Sequence, residues 1–157
     1  MNKNLIKLVS VAASAIALCS LSACGGDGKI HVKFWHTMGK QKSGVVDRIT
    51  EQFNKLYPDV VIEADGQGDY TALKDKLEQA IPAGTMPQMA FCYPDHVAGY
   101  MSSNAVVNIE DYLNDESLQF NADDGLVGDF RQSYWKEGQE YEVPGTYSVP
   151  FAKRGLS

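Results

Sequence analysis

The sequence predicts an α/β domain in which parallel strands are layered against helices. Three short apolar runs have the composition of strands, and each is followed by a segment whose apolar residues recur every three or four positions. Strand and helix therefore alternate three times over residues 30–101, an order typical of parallel strands joined by right-handed crossover connections. Pro58 is predicted to end the first helix, and Pro82 with Gly84 the second.

The first strand and helix are predicted from their apolar spacing. Ile30, Val32 and Phe34 alternate with their neighbours at the period of a strand. Ser43 can cap the helix that follows. The predicted apolar face of this helix consists of Val45, Ile49, Phe53 and Leu56.

The second and third strand–helix pairs follow the same pattern. A β-branched run at residues 60–62 predicts a buried strand, and Asp69 can cap the next helix. The apolar face of that helix consists of Tyr70, Leu73, Leu77 and Ile81. Residues 89–92 predict the third strand, after which Asp95 can cap a helix. The third helix carries Val97, Tyr100 and Met101 on its apolar face.

The predicted elements that follow are shorter. Residues 109–113 indicate a helical turn. One face of a further helix consists of Leu126, Phe130 and Tyr134. A hairpin is predicted over residues 142–147, with Pro144 and Gly145 at the central positions of a type II turn.

Residues 1–23 are predicted to be a targeting segment. Two lysines precede an apolar run at residues 8–18, as in a secretory signal, and the run is too short for a transmembrane helix. Residues 21–24, Leu-Ser-Ala-Cys, resemble the bacterial lipobox, in which the chain is cut before a cysteine that carries the lipid. We therefore expect Cys24 to anchor the protein to a membrane, with residues 24–29 as a flexible tether. An ordinary signal peptide with a chance cysteine is the alternative.

Composition excludes some classes of function. The formal net charge is −6, and without residues 1–23 the remaining 12 basic and 20 acidic residues leave −8. An acidic exported chain without a basic run is a poor nucleic-acid binder. Cys92 would then be the only remaining thiol, so no intrachain disulfide is expected. About 130 residues suffice for one modest domain, and we expect a monomer.

Three loops are predicted at the carboxyl ends of the strands, where open parallel sheets bind their ligands. They comprise residues 35–41, 65–69 and 93–96. The loops offer aromatic faces, carboxylates, amides and a hydroxyl, and their glycines let the backbone approach a ligand closely. Such a set suits a polyhydroxylated ligand.

Several residues near these loops have structural alternatives. Trp35 is equally compatible with the core, and Asp69 is favoured as a helix cap. Asp95 is equally compatible with a cap and a ligand contact. Cys92, within an apolar run, is interpreted as a core residue rather than a nucleophile.

The sequence lacks motifs that would indicate catalysis or a bound cofactor. The three histidines do not have the helical spacing of a zinc site, and the glycines at residues 66–68 lack the third glycine and the lysine of phosphate loops. There is no GxSxG motif and no convincing catalytic pair. We expect no metal, no cofactor and no enzymatic activity, and an exported enzyme is the least favoured alternative.

Four segments carry a resemblance to a known family. They are KFWHTMG, ITEQFNKLYPDVVIE, YTALKDKLEQAIPAGTMPQMAF and YMSSNAVVNIEDYL. In order and spacing they resemble the amino-terminal part of extracellular solute-binding proteins of family 1, the sugar and glycerol-phosphate receptors of ABC importers. The resemblance covers residues 29–151, with Pro87 and Gln88 where the family commonly has Pro-Asp.

The resemblance implies a fold and a function. The fold is an incomplete periplasmic-binding-protein-like (type II) amino-terminal lobe, with a parallel-rich sheet flanked by helices, over residues 30–151. The function is that of a two-lobed receptor that closes on a sugar and delivers it to the permease subunits of an ABC importer in the membrane. The ligand-binding residues implied by position are His36, Thr37, Gly39, Lys40, Asp65, Gln67, Tyr93 and Asp95.

Within this set, Asp95 resembles a position where sugar-binding relatives place a ligand-contacting carboxylate. A neutral oligosaccharide is favoured over a glycerol-phosphate type of ligand, because only Lys40 and Lys42 offer cations near the first loop. Family members are much longer, and residues 152–157 do not resemble them. We therefore expect a truncated or frame-shifted gene, or a gene-model fragment. A vestigial surface lipoprotein without a transport role is the alternative from a different class.

Overall fold

A computed structural model describes residues 27–118 and 126–150 of the chain. The predicted signal segment and Cys24 lie outside the described residues. The described elements are β1 (Ile30–His36), α1 (Lys40–Leu56), β2 (Val60–Gly66), α2 (Tyr70–Ala83), β3 (Met89–Ala90), α3 (Pro94–Met101), α4 (Glu110–Leu113), α5 (Leu126–Asp129), α6 (Gln132–Trp135) and a 3₁₀ turn (Lys136–Gly138). The predicted threefold alternation of strand and helix is confirmed. Within the described ranges, none of the helices combines the length and the apolar character of a membrane span.

The three strands form one parallel sheet in the order β2–β1–β3. β1 and β2 pair along their whole length, starting with Ile30 opposite Val60. β2 is therefore longer than the predicted run at residues 60–62, because its register with β1 continues to Gly66. β3 is shorter than the predicted run at residues 89–92, because the chain leaves the sheet after two paired residues.

The described chain divides into two compact units. The first comprises residues 27–69 and 87–90, and it holds the sheet and α1. The second comprises residues 70–86, 91–118 and 126–150, and it holds the remaining helices.

α1 begins earlier than predicted. Its first residue is Lys40, and Gly39 occupies the N-cap position with an extended backbone. Ser43 therefore lies inside the helix and is not its cap. The helix ends at Leu56, two residues before Pro58, as predicted.

α1 also buries a different face from the one predicted. The four predicted core residues are exposed to 44%, 60%, 36% and 75%, in the order Val45, Ile49, Phe53 and Leu56. Val46 is buried instead. Asn54, on the same side of the helix as Val46, accepts a hydrogen bond of 3.1 Å from the backbone N–H of Ile62 in β2. This bond satisfies a backbone donor of the edge strand, and it is made only when this side of the helix faces β2.

α2 supplies apolar core to the second unit, as predicted. Leu73 is 1% exposed, and Leu77 and Ala80 are also buried. The three side chains recur at intervals of four and three residues, so they lie on one face of the helix. The burial of this face anchors the whole of α2.

α2 ends at Ala83, between Pro82 and Gly84, the two residues that were predicted to end it. Gly84 has a φ of +66°, a left-handed conformation that favours glycine. The N–H of Thr85 donates to the carbonyl of Ala80 at 3.1 Å, and the N–H of Gly84 donates to that of Ile81 at 3.2 Å. These two bonds form a Schellman motif, so Gly84 terminates the helix.

α3 begins one residue before Asp95. Pro94 is its first residue and Tyr93 occupies the N-cap position. Asp95 is therefore a first-turn residue, and the prediction that it caps the helix was wrong. Val97 and Tyr100 are buried, as predicted.

The single helix predicted from Leu126 to Tyr134 is two short helices, α5 and α6. Arg131 occupies the N-cap of α6 with a ψ of 122°, which is incompatible with a continuous helix. Trp135 is the buried side chain of this segment, whereas Tyr134 is 36% exposed. The predicted turn at residues 109–113 is confirmed as α4.

The hairpin predicted over residues 142–147 is absent, since the described residues there form no strand. Thr146 pairs with α4 instead. Its carbonyl accepts a bond of 2.8 Å from the N–H of Ile109, and its hydroxyl donates to the carboxylate of Glu110. Gly145 has a φ of +145°, far from the value near +80° of a type II turn. Long-range pairing thus replaces the local turn.

The ring of His31, on β1, contacts one acidic side chain near the start of the described chain and another on β2. Its Nδ1 lies 2.5 Å from the carboxylate of Glu63 on β2, and its Nε2 lies 3.1 Å from that of Asp27. The bond with Glu63, followed by that with Asp27, raises the pKa of His31 above its ordinary value. Protonated histidine donates from both ring nitrogens, so both contacts favour the charged form.

The raised pKa of His31 predicts a pH-dependent contribution to stability. This contribution is fully present below the unfolded pKa of about 6.5, and it is lost as the pH rises through the folded pKa. When the pH is raised from about 6 to about 8, we expect the urea concentration at the unfolding midpoint to fall for the natural chain relative to His31→Gln. Parallel midpoints for the two proteins across this range would contradict the prediction.

Candidate functional site

The first two predicted loops meet at the carboxyl ends of β1 and β2. His36 ends β1 directly opposite Gly66, and the N–H of Gln67 donates to the carbonyl of His36 at 2.8 Å. Parallel pairing therefore places the first two groups of predicted ligand-binding residues at one edge of the sheet. These residues are His36, Thr37, Gly39, Lys40, Asp65 and Gln67.

His36 is buried beneath this edge, with only 3% of its surface exposed. The N–H of Met38 donates to its Nδ1 at 3.2 Å, so Nδ1 acts as an acceptor. A Cβ atom at Gly66 would lie 3.3 Å from the ring, a tight contact. Trp35 continues the strand into the core, and this settles the alternative left open by the sequence.

Asp65 and Gln67 form a polar pair at the same edge. Asp65 belongs to β2 rather than to the predicted loop, and its carboxylate accepts a bond of 2.6 Å from the side-chain amide of Gln67. Asp65 is exposed and Gln67 is half-buried. A carboxylate and an amide held side by side can bridge neighbouring hydroxyl groups of a ligand.

The remaining predicted ligand-binding residues of the first loop, Thr37, Gly39 and Lys40, lie where the chain passes from β1 into α1. Thr37 is half-buried. Gly39 is the N-cap of α1, with open space where a Cβ would stand, and Lys40 is the first helical residue. The predicted loop is thus only three residues long, from residue 37 to residue 39.

The third predicted loop belongs to the second unit, where it opens α3. Tyr93 is 49% exposed, and Asp95 is exposed in the first helical turn. Asp95 also lines a groove of about 600 Å³ between α2 and α3. The groove is lined by Lys74, Glu78, Ile81, Pro82, Asp95, His96, Gly99, Tyr100 and Ser103.

The groove has the size and mixed lining of a small-molecule site, for which about 300–1,000 Å³ is typical. Ile81 and Pro82 contribute apolar surface, whereas Asp95 contributes a carboxylate. The Nζ of Lys74 lies 2.7 Å from the carboxylate of Glu78, so this lysine is paired with an acid of the same helix. The groove can therefore offer hydrogen bonds without a strong positive field.

Aromatic rings cluster beside the groove. The ring of Tyr70 stacks on that of Tyr93, with centroids 4.3 Å apart and an interplanar angle of 28°. His96 meets Tyr93 edge-on at 5.4 Å. The apolar pattern of the sequence assigns Tyr70 to the core, and it does not identify Lys74 or Glu78 as residues of a site. Their spacing of four residues, which puts all three on one helical face, was the available signal.

Two groups with acidic protons near this loop are not activated as nucleophiles. Burial, followed by the charge of Asp95, raises the pKa of the Cys92 thiol to about 11. Burial likewise raises the pKa of Tyr100 to about 12. Both remain protonated at neutral pH, which supports the interpretation of Cys92 as a packing residue. In the described part of the chain, no three His, Cys, Asp or Glu residues are grouped as a metal site would require.

Comparison with known protein families gives a match over most of the chain. Residues 38–155 match the family described as bacterial extracellular solute-binding protein. The maltotriose-binding protein of Pyrococcus abyssi (strain GE5 / Orsay) is 29% identical over 94 residues, which are 60% of this chain and 20% of that protein. The chain thus spans about a fifth of this curated relative.

Solved structures share the fold. A family 1 extracellular solute-binding protein from Alicyclobacillus acidocaldarius superposes with a TM-score of 0.63 at 17% identity, over 80% of this chain and 29% of that one. The galacto-N-biose-/lacto-N-biose I-binding protein of an ABC transporter from Bifidobacterium longum gives 0.58 at 18% identity, over 78% and 28%. The predicted class, an α/β periplasmic-binding-protein-like fold of which the chain spans a part, is confirmed.

Proposed function

Because the chain belongs to the bacterial extracellular solute-binding protein family, we propose that it captures a carbohydrate outside the cytoplasm for an ABC importer. The observation that carries this proposal is the start of α3. There, the half-exposed ring of Tyr93 lies two residues along the chain from Asp95, whose exposed carboxylate lines a groove of about 600 Å³. An aromatic ring and a carboxylate suit the apolar face and the hydroxyl groups of a sugar.

The charges of the groove favour a neutral oligosaccharide. Asp95 would repel a phosphate group, and the cation of Lys74 is already paired with Glu78. The names of two relatives, a maltotriose-binding protein and a lacto-N-biose I-binding protein, support the same ligand class. A glycerol-phosphate type of ligand is the alternative.

Binding to a small panel of compounds tests the proposed function. The full chain is titrated with maltotriose, lacto-N-biose and glycerol 3-phosphate, and binding is followed by NMR, which detects weak complexes. We expect saturable shifts with at least one oligosaccharide and none with glycerol 3-phosphate. A folded chain that binds neither oligosaccharide would contradict the proposal and would favour a lipoprotein without a transport role.

We further propose that the mature protein is held at the membrane by lipid on Cys24, beside the permease subunits that receive its ligand. The lipobox pattern at residues 21–24 and the glycines at residues 25, 26 and 28 support this arrangement. Two or more acyl chains suffice for stable anchoring, so the tether would keep the binding unit close to the membrane surface.

Cys24→Ser is expected to abolish both lipidation and cleavage before residue 24. The variant should lose its acyl mass in intact-protein mass spectrometry and should retain residues 1–23. Cys19→Ser is the matched control, since it changes the other cysteine of the leader and should leave processing intact. If the natural chain carries no acyl group on Cys24, the anchor proposal is wrong.

A further inference from the structure

The ring of Tyr93 is held by two neighbours although half of its surface is accessible. Tyr70 stacks on it with a centroid distance of 4.3 Å, and His96 meets it edge-on at 5.4 Å. Tyr93 is nevertheless 49% exposed. We call these three residues, Tyr70, Tyr93 and His96, the aromatic platform.

The platform leads into the groove. His96 belongs to both, because its ring contacts Tyr93 and its side chain lines the groove. Tyr70 is the first residue of α2, and Lys74 and Glu78, which also line the groove, follow it at intervals of four residues. One row of side chains on α2 therefore faces the start of α3 along both the platform and the groove.

The stack on Tyr70 restricts the motion of the Tyr93 ring before any ligand arrives. A free tyrosine side chain at a surface loses rotamer freedom when a ligand orders it, and this loss weakens binding. Tyr70 is itself fixed, because α2 is anchored by the buried Leu73 and Leu77. An aromatic stack contributes about 0.5–1.5 kcal/mol beyond its buried area, which is enough to bias the ring toward one orientation.

We propose that Tyr70 is a positioning residue that holds Tyr93 as a platform for the apolar face of a pyranose ring. The hydroxyl groups at the edge of that ring then reach Asp95 at the groove. This inference rests on the proposed function and extends it, because it assigns a role to a residue with no expected ligand contact of its own. The ligand class is a pyranose-containing oligosaccharide.

The test compares two substitutions of Tyr70 in the full chain, with maltotriose and lacto-N-biose as probes. Tyr70→Leu removes the stack and is expected to weaken binding about threefold to tenfold. Tyr70→Phe keeps the stack and should bind within about twofold of the natural chain. Tyr112→Leu, at a tyrosine that is 60% exposed on α4, is the matched control and should leave affinity unchanged.

A double-mutant cycle separates positioning from general damage to the fold. Since Tyr70 acts through Tyr93, adding Tyr70→Leu to Tyr93→Leu should cause no further loss of affinity. Additive losses, equal losses in Tyr70→Leu and Tyr70→Phe, or unchanged affinity in Tyr70→Leu would each overturn this inference alone. Failure of the natural chain to bind either oligosaccharide would overturn the proposed function and this inference with it.

Discussion

Asp95→Asn is expected to weaken oligosaccharide binding by about tenfold to a hundredfold, because a hydrogen bond to a charged group contributes about 1.5–3 kcal/mol. The substitution preserves the size of the side chain and removes only the charge. Asp95 is exposed in the first turn of α3, so the fold loses little more than a favourable interaction with the helix dipole, about 0.3–1 kcal/mol. Calorimetric titration and a thermal melt measure the two effects separately.

Asp111→Asn is the matched control for this prediction. Asp111 is also an exposed, acidic first-turn residue, but it lies in α4 and does not line the groove. It should reproduce the small change in melting temperature without the loss of affinity. If Asp95→Asn binds as the natural chain does, Asp95 is not a ligand contact, and its charge serves only the helix.

Leu73→Ala is expected to destabilise the chain by about 2–5 kcal/mol. Leu73 is 1% exposed on α2, so its truncation removes buried apolar surface and leaves a cavity that its neighbours fill only in part. For a protein of ordinary marginal stability this is a large fraction of the total free energy of unfolding. Urea denaturation followed by circular dichroism measures the loss.

Leu56→Ala is the control, since it is the same substitution at a leucine that is 75% exposed. Its free energy of unfolding should lie within about 0.5 kcal/mol of that of the natural chain. Equal losses in the two variants would contradict the difference in burial between Leu73 and Leu56.

The sequence located much of the candidate site, because it predicted the order of the strands and helices. Parallel pairing brings the ends of β1 and β2 to one edge, so Asp65 and Gln67 follow from the order of the elements. Tyr70 was missed for a specific reason. Apolar spacing within α2 assigns it to the core, and only its contact with Tyr93, which lies beyond β3 in the chain, supports the positioning role that we propose.

The sequence by itself determined which elements form over residues 30–101 and in which order, since the spacing of apolar residues and the breakers Pro58 and Gly84 act over a few neighbouring positions. Only the tertiary structure decided how α1 is rotated and where residues 142–147 pair. Both outcomes depend on backbone groups that are satisfied by distant parts of the chain: the N–H of Ile62 by Asn54, and that of Ile109 by the carbonyl of Thr146. Local patterns carry no information about such partners, because a backbone donor bonds in the same way whichever residue supplies it.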